Sequence, residues 1–182
     1  MAVPYTPLAI ANAFIEMHGK RDGIEHMKLQ KLVYYSYGWW LASNGLASPR
    51  LTTEGPEIWK HGPVFSSLYA VLKIFGRTPI VSAQSPSPFG EPDNIKGDNR
   101  VATLIDWVWR RYGHLSSFAL SDMTHRAGTS WYRTAVENNY SVPLHTMISD
   151  HYIFEEFSAL KHAEYSDTNG EADGVGHSTI TA

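Results

Sequence analysis

Met27-Lys28-Leu29-Gln30-Lys31-Leu32-Val33-Tyr34-Tyr35-Ser36-Tyr37-Gly38-Trp39-Trp40-Leu41 has no proline and no charge other than two lysines. Most of its positions are apolar or aromatic. On a helix turning about 100° per residue, Leu29, Leu32, Val33, Ser36 and Trp40 share one face, and Met27, Tyr34, Gly38 and Leu41 share the opposite one. A helix apolar on two opposite faces belongs in the middle of a domain. Gly38, disfavoured by about 1 kcal/mol relative to alanine in a helix, predicts the close approach of another backbone. Only the side bearing Lys28, Lys31, Tyr35 and Trp39 is expected to reach solvent. The fold class that follows is mainly α: a compact bundle of about six helices around this buried central helix, with one small β-hairpin.

Upstream, Thr6 and Pro7 read as N-cap and first residue of a helix that stops at His18-Gly19. Downstream, Gly45 suits a left-handed C-cap for the central helix. Glu57–Lys60 alternates and is paired, in expectation, with a second short strand at Ile80–Val81. His61-Gly62-Pro63 turns into a helix from Val64 to Phe75. Residues 84–97, with Pro86, Pro88 and Pro92, form a surface loop. Asp98 or Asn99 then caps a helix over Arg100–Tyr112, whose stripe of Val101, Leu104, Ile105, Val108 and Tyr112 leaves Trp107 pointing away. Ser116 or Ser117 starts another helix, Ser130 a short one, and the last helix is expected from about Thr146 to His162. From Asp167 onward the residues are polar and without pattern, which predicts a disordered tail. The expected organisation is one domain over residues 1–163 and a tail over 164–182.

Composition narrows the function. The chain has 182 residues, 43% of them hydrophobic and 13% aromatic, enough for a single well-packed core. A net charge of -3 argues against a general nucleic-acid or membrane-surface binder. There is no cysteine, hence no disulfide framework and no thiolate metal site, as suits a cytoplasmic protein. No basic leader or long apolar run suggests secretion or a membrane span.

Four blocks in order resemble one family, the Panacea domain of SocA-like, phage-associated antitoxins. They are Met27–Tyr35; Glu57-Ile58-Trp59-Lys60-His61-Gly62-Pro63-Val64 with Leu68-Tyr69; Tyr112-Gly113-His114-Leu115-Ser116 with Leu120-Ser121-Asp122-Met123-Thr124-His125; and Gly128-Thr129-Ser130-Trp131. The resemblance covers roughly residues 5–160. Two departures stand out: Ala127 where an acidic residue is common, and Ser130 where a proline is often found. The resemblance implies a cytoplasmic antitoxin of a toxin-antitoxin system, acting by protein–protein interaction on a cognate toxin. Its alternatives are a proteolytic adaptor and a mobile-element protein that binds a host defence protein.

Read from the residues, the candidate partner-binding positions fall in three groups. Lys28, Lys31, Tyr35 and Trp39 either form a binding strip or pack under neighbouring helices. Trp59, Lys60 and His61 either present a knuckle to a partner or, with Gly62-Pro63, shape the start of a helix. Trp107, Arg110 and Arg111 either mark an interface or lie beneath the proline-rich loop. Asp122 and His125, three apart on one helical face, either pair for acid–base chemistry or leave the histidine holding the Gly128–Trp131 turn. No nucleophile elbow and no metal-ligand spacing accompany them, so no enzymatic activity, cofactor or metal is expected.

Overall fold

The computed structural model describes residues 3–170. Among them, seven α-helices run in order: α1 (Pro7–Phe14), α2 (His26–Asn44), α3 (Ser66–Leu72), α4 (Asn99–Tyr112), α5 (Ser117–Thr124), α6 (Ser130–Glu137) and α7 (Asp150–Gly170). Strands β1 (Glu57–Trp59) and β2 (Gly62–Val64) form an antiparallel hairpin between α2 and α3. The helix starts follow their capping chemistry. The side chains of Thr6, Asp98, Ser116 and Thr129 accept from the backbone N–H groups of Ala9, Val101, Ala119 and Tyr132, each cap contributing about 1 kcal/mol.

Every residue of α2 from Leu29 to Leu41 is buried. This corrects the expectation that one side reaches solvent: Lys31, Tyr35 and Trp39 are 1%, 3% and 4% exposed, and Lys28 is half-buried. The cover comes from elements distant in sequence. Tyr35 stacks on Tyr112 of α4 at 4.3 Å. Trp39 meets Trp107 and Phe157 edge-on and donates its Nε1–H to the Tyr112 hydroxyl at 3.0 Å. Gly38 does admit a close neighbour, but the neighbour is the Phe157 ring of α7, where an added Cβ would lie 2.3 Å from a ring carbon. That same ring packs edge-on against Tyr34, Tyr35 and Trp39, so α2 and α7 share one aromatic layer.

Three other expectations are corrected. The hairpin pairs Glu57 with Val64, Ile58 with Pro63 and Trp59 with Gly62 across a two-residue turn, so β1 finds its partner locally. Ile80 instead forms an isolated bridge with Ile24. The last helix starts at Asp150, because residues 146–148 lie along the outer edge of β1: Ile58 N–H donates to Thr146 O and Ile148 N–H to Pro56 O, both at 2.9 Å. It is described as far as Gly170, so residues 164–170 are helical where the sequence predicts a tail; residues 171–182 of that tail lie outside the described residues. The proline-rich loop is pinned to α1 by Asn12, which donates to Gln84 O and Asp93 O and accepts from Gln84 N–H.

Candidate functional site

The hairpin turn is fastened by side chains from three helices. Antiparallel geometry turns the N–H and C=O groups of residue 58 outward, as the Ile58 N–H bond to Thr146 shows, and those of its partner Pro63 outward on the other side. Pro63 has no N–H to lose there, and its carbonyl accepts from Lys31 Nζ at 2.9 Å. Around the turn, Trp131 Nε1–H donates to Trp59 O at 2.9 Å and the Ser121 hydroxyl to His61 O at 2.8 Å. The His125 ring sits between two carbonyls, with Nε2 3.1 Å from Lys60 O and Nδ1 2.7 Å from Ser121 O. Gln30 clamps Phe65, just past the hairpin, accepting from its N–H and donating to its carbonyl. Gly62, at φ +99°, would place a Cβ 2.6 Å from Thr124 Oγ1 and 2.8 Å from the Lys31 amine. Only glycine satisfies both the left-handed backbone and the contact.

These contacts decide the roles of several predicted residues. Burial without a carboxylate partner holds the Lys31 amine far below the usual lysine range, at about 7. Lys28 likewise serves the backbone, donating to Gly113 O at 2.6 Å beside the Trp109 ring. His125 is occupied by carbonyls and packs on Trp131 with ring centroids 3.9 Å apart; Asp122 is exposed and engages it only through the backbone. The Asp-His side-chain pair, one of the two readings of the sequence, is therefore not formed; the histidine reaches the β-turn at Lys60 O and packs on Trp131 of the Gly128–Trp131 turn. Ser130, in the place of a proline, donates its N–H to Glu156 Oε2 at 2.8 Å and shares a hydrogen bond with the Tyr34 hydroxyl. A proline has no N–H for the first of these.

Against the fastened hairpin lies an apolar cleft of about 500 Å³, with Ile58, Trp59, Trp131 and Ala135 on one side and residues 140–145 on the other. At its rim Tyr140 is 63% and Leu144 90% exposed. Tyr140 and His145 both hold left-handed backbone, at φ +56° and +62°, a conformation that costs a non-glycine residue on the order of 1 kcal/mol and concentrates at binding sites. Glu57 closes one end, accepting from Trp59 Nε1–H at 2.9 Å, with His145 Nδ1 3.3 Å from its other oxygen. Burial pushes its carboxyl up, but the donors around it, Trp59 and His145 among them, prevail and hold it below the ordinary range.

The cleft brings together Trp59, Lys60 and Trp131 from the sequence candidates; His61 is exposed on the adjoining turn. Trp107 and Arg111 form a separate cluster on α4, with the guanidinium 5.7 Å from the indole centroid and ion-paired to Glu164. Arg110 pairs elsewhere, with Asp106 at 2.6 Å. Sequence reading missed the far wall, Tyr140, Val142 and Leu144. A signal was present, since apolar residues alternate there at every second position. No group of three potential metal ligands occurs among the described residues, and no described helix is long and apolar enough to cross a membrane.

A model of the family described as "Antitoxin SocA-like, Panacea domain" matches residues 29–132, more than half of the chain. No curated protein and no solved structure matches. The matched span contains every side chain that fastens the turn, while the 140–145 wall lies beyond it.

Proposed function

The chain belongs to the SocA-like Panacea-domain family, and on that premise we propose that it is a non-enzymatic antitoxin that neutralises a cognate protein toxin by stoichiometric contact at the hairpin cleft. The observation that supports this reading is a preformed apolar cleft with one edge tied down at successive carbonyls and a rim of exposed Tyr140 and Leu144. An edge already ordered loses little entropy on binding, so more of the gain from desolvating the aromatic floor appears as affinity. Large apolar and aromatic side chains in a desolvated pocket are the usual seat of binding energy.

The test is co-production with the product of the neighbouring reading frame. The two proteins are expected to co-purify in equal amounts and the cells to be protected. Leu144→Asp, at a position too exposed to matter for folding, should weaken the complex by about tenfold or more and abolish protection. Phe89→Ser, in the proline-rich loop, should change neither. Protection retained by Leu144→Asp would remove the cleft from the interface. Protection at far below equimolar amounts would point to catalysis instead.

A further inference from the structure

A second groove passes the C-terminal end of α2, distinct from the hairpin cleft and sharing no lining residue with it. Its two halves meet over Trp40, Asn44 and Arg100. One half, about 490 Å³, is apolar: it is lined by Trp39 and Trp40 of α2, Leu104 and Trp107 of α4 and Lys161 of α7, with Trp39 and Trp107 meeting edge-on. The other half mixes polar and apolar lining and carries Lys96 just before α4.

The charges along this groove do not balance locally. Asp98 is engaged at the start of α4, where Oδ1 accepts from Arg100 N–H and Val101 N–H and Oδ2 lies 3.4 Å from the Tyr5 hydroxyl and pairs with the Arg100 guanidinium at 3.6 Å. Glu164 is ion-paired with Arg111. Among the described residues, Lys96 and Lys161 have no carboxylate within ion-pair distance, and the only contact of the Lys161 amine is Ala42 O at 3.4 Å. On a chain of net charge -3, this leaves two lysines without a carboxylate beside an apolar notch.

We propose that this groove is a docking site for an acidic segment of a partner protein, which seats one apolar side chain against Trp107 and Leu104 and lays carboxylates along Lys96 and Lys161. Single-stranded nucleic acid would need several open aromatic faces on which to stack bases. Trp39, Trp40 and Tyr5 are 7% exposed or less, and Trp107 alone offers a face. One apolar anchor flanked by cations matches one buried side chain flanked by carboxylates. The inference stands apart from toxin neutralisation at the hairpin cleft and is tested without a toxin.

The full-length protein is titrated, with fluorescence polarisation as readout, into dye-labelled short peptides of alternating glutamate and leucine, of alternating lysine and leucine, and into a short oligothymidylate. The acidic peptide is expected to bind saturably, and more weakly as salt screens the two lysines. Lys96→Glu combined with Lys161→Glu should weaken it by about tenfold or more, as should Trp107→Ala, whereas Leu144→Asp should leave it unchanged. Thermal unfolding of each variant checks that the fold is intact. Absence of saturable binding at low salt, equal binding of the basic peptide, indifference to the charge reversals, or tighter binding of the oligothymidylate would each overturn the assignment.

Discussion

Lys28, Gln30 and Lys31 reach in three directions from α2, and each ends on backbone: Gly113, Phe65 and Pro63. Their long polar side chains act as struts rather than as a binding strip. Lys31 makes the strongest case, because its folded-state pKa is about 7 against an ordinary value of 10.5. Between those two values the unfolded chain binds more protons than the native one, so stability must rise with pH across that window. Below pH 7 both forms are protonated and the cost of burying the ammonium is constant. Above about pH 10 the trend reverses, since burial raises the hydroxyl pKa values of Tyr34, Tyr35 and Tyr37 and the unfolded chain ionises first. Unfolding free energies from urea titrations between pH 7 and 9.5 should therefore climb, by a few kcal/mol at most, and Lys31→Met should flatten the curve. A wild-type curve already flat in that window would show that the amine is not buried as described.

At the scale of elements, the decisive contact is that of α2 with α7 through Gly38 and Phe157. A Cβ at position 38 would fall 2.3–2.5 Å from three atoms of the ring, which is itself 0% exposed. Gly38→Ala should lose about 1–3 kcal/mol by overpacking, even though alanine is the better helix former. Phe157→Leu should lose a comparable amount by leaving a cavity. Together the two should cost clearly less than their sum, because the smaller side chain yields the space the new methyl requires. Additive losses in chemical denaturation would mean that the helices do not meet there. The helices themselves were legible in the sequence, through caps at Thr6, Asp98 and Ser116 and through the stripe of α4. The partner of β1 was not. A three-residue strand carries too little periodicity to say whether it pairs with Gly62–Val64 or with Ile80.

On the whole molecule, two surfaces stand apart, the hairpin cleft and the groove beside Trp107. Trp59 packs on Tyr69, and Trp107 on Trp39, with no residue common to both pairs. The stability losses of Trp59→Ala and Trp107→Ala should therefore add to within about 0.5 kcal/mol; a coupling well above that would show that the surfaces communicate. Period, caps and residue type, all read within a few neighbouring residues, determined the mainly helical class, the burial of two opposite faces of the Leu29–Leu41 stretch and the blocks by which the family is recognised. Tertiary structure alone decided that Lys31, Tyr35 and Trp39 are covered, that His125 holds a turn rather than facing Asp122, and that residues 57–60, 131–135 and 140–145 enclose a cleft. The reason is that a buried carbonyl takes whichever donor the packing brings to it, and the donors here come from α2, α5 and α6, tens of residues away along the chain.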